Sequence, residues 1–322
     1  MENEAKKQKK KRKYALVWWF MMSLMLAFLI FCGIGVVSSM TEYTKADAEY
    51  EKLREVVRKA EETREGTRAG GQSSIEVLDN RGDQSNGSSR GNIGGQDNAD
   101  GENDSKDQDN KKASTDEQKA SPGYPFVSEN QAEINQVMFE NLRSINEDIC
   151  GWIRIDGTEI DYPVMHGETN HTYLRTSYTG AYSIAGSIFM DAANMPDFSD
   201  LHTILYGHNM ADGTMFKGLY HYQDWAFWEQ HPYIVIDLPD RRLVYEVFSA
   251  YTTVYWDTMY DEQYEAGPDQ LDFLQRLLAA SEYQVDVPLQ EDDRIITLST
   301  CNGGTGTEYR YVVQAVLRQT LP

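Results

Sequence analysis

Three short stretches in the last third of the chain carry a thiol, an imidazole and a guanidinium. They are Thr297-Leu298-Ser299-Thr300-Cys301, Tyr206-Gly207-His208-Asn209 and Tyr309-Arg310-Tyr311-Val312-Val313. Together these groups suit acyl transfer. A thiol attacks a carbonyl, an imidazole moves the proton, and a guanidinium holds the developing oxyanion. Cysteine is scarce, at three in 322 residues, and one of the three falls nine residues before an arginine that opens the next apolar run.

The elements that must position these residues are strands. Apolar, β-branched and aromatic runs occur at 152–155, 160–164, 186–190, 203–206, 233–238, 243–251, 294–299 and 309–317, separated by turn residues. Eight strands with few helices predict a mainly β domain, a closed or nearly closed barrel. A helix precedes them, with Ser128 and Gln131 as a capping box and Ile134, Met138, Leu142 and Ile145 along one face. A second helix is expected near 269–282, on Leu271, Leu274, Leu277 and Leu278, in the insertion before the cysteine strand. His208 then follows one strand, Cys301 ends another and Arg310 begins the last. The loop 302–309 has three glycines. If the last two strands are antiparallel neighbours, Cys301 and Arg310 lie side by side. Tyr206, Ser299 and Thr300 flank the site on the same strands and are candidate substrate contacts.

The rest of the chain divides by composition. Residues 1–13 are basic, and 14–40 hold no charge and are long enough to cross a bilayer. That run exceeds the apolar region of a signal peptide and offers a poor cleavage site, so an uncleaved anchor is expected, with the basic end in the cytoplasm and the C-terminal domain outside. Residues 41–65 read as a juxtamembrane helix, with Leu53, Val56, Val57 and Ala60 at helical spacing. Residues 66–122, rich in Gly, Asn, Asp, Ser and Gln, read as a flexible polar linker that holds the domain off the membrane, with a span of about 40 Å. Residues 123–322 form the catalytic domain. They contain 10 Lys and Arg against 30 Asp and Glu, a net of −20, which argues against nucleic acid as a partner. Cys150, beside Trp152, reads as a core thiol, and no spacing suits a metal, so neither metal nor cofactor is expected. His166, His171, His202, His221 and His231 read as surface or satisfied polar residues, and Asp191 reads as a turn aspartate, with orientation of a site residue as the alternative. The tyrosines and tryptophans around 219–228 and 251–260 read mostly as core.

With these residues in view, the chain resembles a sortase of class B. The resemblance is carried by Thr297–Cys301, by Tyr206–Met210 with Asp212–Phe216 after it, and by Arg310 ahead of Val312-Val313. The segments Gly151-Trp152-Ile153, Asp161–Val164 and Gly186–Asp191 are also similar, and the likeness spans 125–322. It implies the eight-stranded sortase barrel with an N-terminal helix, and a membrane-anchored cysteine transpeptidase of Gram-positive bacteria. Cys301 is implied as nucleophile, His208 as acid and base, and Arg310 as oxyanion or backbone clamp. The implied partners are secreted proteins with a sorting signal of the Asn-Pro-x-Thr-Asn or Asn-Pro-x-Thr-Gly kind and an amine of the cell wall or of a pilin. Two other readings stay open. One is a thiol peptidase that hydrolyses the same acyl-enzyme. The other is a surface binding module with an inactive site.

Overall fold

The computed structural model describes residues 2–71, 131–261, 264–301 and 306–322. Eight strands close into one barrel: β1 Ile149–Arg154, β2 Asp161–Met165, β3 Ile188–Met190, β4 His202–Tyr206, β5 Tyr233–Asp237, β6 Arg242–Val254, β7 Ile295–Cys301 and β8 Tyr309–Leu321. Their order around the barrel is β1-β2-β3-β4-β7-β8-β6-β5. The eight expected strands are all present. β7 is apolar along nearly its whole length because it is a central strand, paired with β4 on one side and β8 on the other and buried at six of its seven positions. The pairs β2–β3 and β4–β7 are parallel and the other six antiparallel. β6 and β8 run longer than their apolar cores suggest, and they stay paired along the whole length through two register shifts, one at Arg318 of β8 and one at Phe248 of β6.

Among the described residues, four helices accompany the barrel: α1 Glu2–Gly71, α2 Gln131–Ile145, α3 Trp225–Gln230 and α4 Pro268–Ala280. In α2, Ile134, Met138 and Leu142 are buried as expected, but Ile145 is 47% exposed, because the helix ends there and the chain turns into β1. Ser128 lies outside the described residues. Asn135 of α2 donates to the Leu238 and Arg241 carbonyls at 2.8 and 3.1 Å, which ties the helix to the β5–β6 turn. α4 covers β6 and β7 with Phe273, Leu274 and Leu277. Asp237, fully buried, is held by Arg242 at 2.6 Å and Arg154 at 3.1 Å, so its charge is compensated.

α1 departs most from the sequence-based picture. It is continuous from the apolar run through the charged segment, and one stripe of that segment packs on the barrel. Tyr50, Leu53, Val57 and Ala60 are buried in the main core. Tyr50 donates to the Gly186 carbonyl at 2.8 Å and contacts Ser187 Oγ at 3.1 Å. Arg54 donates to the Asp161 carbonyl at 2.9 Å and lies over the Tyr162 ring, and Glu61 pairs with Arg154 at 3.0 Å. The chain therefore reaches the barrel before residue 66. The polar stretch 66–122, which lies outside the described residues after Gly71, does not join the apolar run to the barrel, and the expected stand-off role does not fit this connectivity.

A docked helix shares the barrel's stability. Truncating Leu53, 1% exposed, to Ala removes buried methyl groups and leaves a cavity, at a cost of about 2–5 kcal/mol. Chemical denaturation of full-length wild type and Leu53→Ala, followed by tryptophan fluorescence, is expected to show the barrel's midpoint fall. An unchanged midpoint means that the helix does not fold with the barrel.

Candidate active site

The parallel pairing of β4 and β7 brings two carboxyl-terminal strand ends to the same rim, with Tyr206 opposite Ser299. The antiparallel pairing of β7 and β8 then places Cys301 opposite Arg310. His208, two residues past β4, completes the set. All three line one cleft of about 360 Å³, together with Tyr206, Ser299 and Thr300. The six residues singled out from sequence are thus brought together. Gly207 permits the turn out of β4, because a Cβ there meets Ile188 at 2.5 Å and the Phe216 ring at 2.6 Å.

His208 Nε2 lies 2.7 Å from the Leu174 carbonyl oxygen. That oxygen can only accept, so Nε2 carries the proton and Nδ1 is the nitrogen free to take or give one. Burial pushes the imidazole below its ordinary value. The Leu174 carbonyl pulls the other way, and the positive charge of Arg175 adds to the lowering. The neutral base is therefore the favoured form of the folded site.

The two thiols of the folded domain differ sharply. Cys150 is buried, donates to the Val164 carbonyl at 3.3 Å, and has its thiol pushed up to about 12 by burial. Cys301 is partly exposed in the cleft. Arg310 is held from behind, donating from Nη1 to the Thr307 and Tyr309 carbonyls at 2.8 and 2.9 Å, with Tyr255 5.7 Å from its guanidinium carbon. A guanidinium fixed by its own backbone keeps further donors for an oxyanion or a peptide carbonyl.

The cleft walls contain residues the sequence did not single out. Asn170 and Leu174 come from the loop after β2, and Tyr260 comes from the insertion after β6. Tyr260 shares a 2.8 Å hydrogen bond with Ser299 Oγ and stacks on Tyr206 at 6.3 Å. Burial pushes its hydroxyl up to about 12, against the lowering effect of that bond. Asp191 is more than a turn residue, because it accepts from Tyr206 at 2.9 Å and from Asn170 at 2.8 Å and so fixes one wall. The Thr300 hydroxyl is buried without a partner among the described residues. Tyr255 and Trp256, read as core, are 56% and 54% exposed. They follow the end of β6, where Tyr255 faces the cleft beside Arg310 and Trp256 packs edge-on against Tyr255. Of the other histidines, His202 is buried against Thr297, and His171 stands on the cleft rim. Among the described residues no group of His, Cys, Asp and Glu could hold a metal. The arrangement suits thiol attack on a carbonyl, proton transfer at one imidazole nitrogen and anion stabilisation by a fixed guanidinium.

Comparison with known proteins agrees with this geometry. A family model described as a sortase domain matches residues 153–318. Sortase B of Staphylococcus aureus is 37% identical over 199 residues, covering 62% of this chain and 82% of that protein. A solved Staphylococcus aureus sortase B–substrate complex superposes with a TM-score of 0.54 at 39% identity, covering 57% of this chain and 86% of that one. A sortase B complexed with triglycine gives 0.54 at 36% identity, covering 59% and 94%.

The depressed value of His208 has a measurable consequence. An unfolded histidine titrates near about 6.5, so below that pH the unfolded chain binds the proton that the folded site resists. Stability from the neutral ring is present above that pH and is lost as pH falls through it. Between about pH 7.5 and about pH 5.5, wild type is expected to lose more unfolding free energy than His208→Asn. Parallel pH profiles for the two proteins would remove the burial argument.

Proposed function

The chain belongs to the sortase family, class B, and on that premise we propose that Cys301, His208 and Arg310 carry out its transpeptidation. Membership makes the protein a cysteine transpeptidase of surface proteins. In the proposed reaction the Cys301 sulfur bonds to the scissile carbonyl carbon of a sorting signal and the peptide C–N bond breaks. His208 Nδ1 takes the thiol's proton as the sulfur attacks and then gives it to the leaving amine. An incoming amine then attacks the thioester, His208 takes its proton, and as the C–S bond breaks His208 passes that proton to the departing sulfur, restoring the thiol and the neutral ring. Arg310 donates to the oxyanion in both steps. The observation that carries this reading is the meeting in one cleft of two strand ends and one strand start, each with a different one of the three groups.

The substrate we propose is a secreted protein with an Asn-Pro-x-Thr-Asn or Asn-Pro-x-Thr-Gly signal, and the acceptor an amine of the cell wall or of a pilin. A related enzyme was solved with a substrate and another with triglycine, so triglycine is a reasonable first acceptor to try. The apolar part of α1 supports a membrane anchor. From Tyr14 to Met40 it is free of charge, and its described large apolar side chains are exposed, as lipid requires and a core helix forbids. The basic residues 6–13 favour a cytoplasmic N-terminus, with the barrel outside.

Mass spectrometry tests the chemistry. Wild type incubated with Asn-Pro-x-Thr-Asn peptides is expected to gain an acyl mass on Cys301, and triglycine to convert it into a ligated product. Release of free acid at the same rate with and without triglycine would make the enzyme a peptidase. Cys301→Ala is expected to lose the adduct and all turnover, and Cys150→Ala to keep both. Arg310→Lys replaces a planar, anchored donor with a point charge and is expected to lose about 10²-fold or more in kcat. Near-wild-type turnover of the lysine variant would reject the clamp role.

A further inference from the structure

The Cys301 backbone carbonyl sits where a ladder runs out. β4 and β7 pair in parallel, and the Gly207 amide donates to the Ser299 carbonyl at 3.2 Å. Carbonyls two residues apart on a strand face the same neighbour, so the Cys301 carbonyl is the next acceptor along that edge. A continued ladder would offer it the Asn209 amide. β4 has ended at Tyr206, however, and the Asn209 backbone instead bridges to Met215. The strands must part here, because the cleft opens between them. A carbonyl left without a donor at that point would cost stability and leave the end of β7 free to fray.

Two side chains take the missing strand's place. Asn209 Nδ2 donates to the Cys301 carbonyl at 2.9 Å, and the Tyr220 hydroxyl donates to the same oxygen at 2.9 Å. Asn209 adjoins His208 in sequence. Tyr220 belongs to the 3₁₀ segment Phe216–Gln223, which packs under the turn after β4. Its ring stacks on Tyr311 of β8, with centroids 5.0 Å apart and planes 16° apart, and Lys217 covers it at 4.6 Å. Tyr311 is in turn the register partner of Thr300. The clamp thus joins the histidine turn, the cysteine strand and the arginine strand at one oxygen atom.

We propose that Asn209 and Tyr220 are positioning residues for the transfer reaction. They replace the strand that has turned away and hold the Cys301 peptide in register, so that the thiol stays in the cleft wall with His208 and Arg310. Neither residue touches a reacting atom. The proposal rests on Cys301 as the nucleophile. A purely structural clamp would lower the melting temperature and leave the folded enzyme's turnover unchanged. A positioning clamp lowers kcat with little effect on KM, because substrate still binds while the nucleophile is misaligned.

The test uses the full chain in detergent with quenched fluorescent Asn-Pro-x-Thr-Asn peptides. Tyr220→Phe keeps the stack on Tyr311 and removes only the donor, and Asn209→Ala removes the other. Each is expected to lower kcat about 3–10-fold, the loss of one hydrogen bond, with KM within about twofold. The double variant is expected to lose more than the product of the two, since each donor partly covers for the other. Wild-type kcat in a double variant that remains folded at the assay temperature would overturn the clamp. So would a loss that appears in KM alone, or that matches the unfolded fraction. Turnover retained in Cys301→Ala, or absent in wild type with every peptide, would overturn the nucleophile assignment itself and the clamp with it.

Discussion

The site depends on one pairing, β4 alongside β7 in parallel with Tyr206 opposite Ser299. Antiparallel neighbours present opposite ends at a rim, so two carboxyl-terminal ends meet only where a sheet contains a parallel pair. Such a pair needs a long crossover, and here it passes through the 3₁₀ segment, α3, β5, β6 and α4 before returning as β7. That route also supplies the walls. The 3₁₀ segment packs beneath the histidine turn, the segment after β6 brings Tyr255 and Tyr260 to the cleft, and β8 folds back to set Arg310 against Cys301. The cleft of about 360 Å³ opens where these two strands end.

Much of this was legible in the chain because strands flanked on both sides are apolar along their length and stop at turn residues. β7 and β8 stood out for that reason, and with them Cys301 and Arg310. The partners of those residues were not legible. His208 is oriented by the carbonyl of Leu174, and a backbone atom leaves no trace in residue type. Asn170 and Tyr260 come from segments without periodicity, and their placement follows from the barrel's closure. Asp191 reads as a turn residue locally, and only tertiary structure brings Tyr206 and Asn170 to it.

Electrostatics set the site apart from its surroundings. The folded domain is strongly acidic, with a net of −20 over residues 123–322, and that field attracts a protonated amine toward the surface. An ammonium cannot attack a thioester, because it has no lone pair. In the proposed reaction the buried His208 answers this, since desolvation keeps its ring neutral and ready to take a proton.

The docked part of α1 changes what the N-terminal half can do. Its amphipathic stripe was visible as Leu53, Val56, Val57 and Ala60, of which Val56 is only half-buried, but amphipathicity states only that a face is covered and not by what. The cover is the barrel itself. Ala46 already packs against that core, six residues after Met40. Six helical residues span about 9 Å. If the apolar run crosses a bilayer as proposed, the barrel hangs from a short rigid helix, with Tyr50, Arg54 and Glu61 fixing its orientation. The residues from 72 to 130 then join two helices that both rest on the barrel, so their number does not set the height of the cleft above the membrane. Height and tilt follow instead from the register of α1 on the barrel. On that proposed anchoring, a peptide or acceptor reaches the cleft close to the lipid surface, whatever the length of the polar stretch.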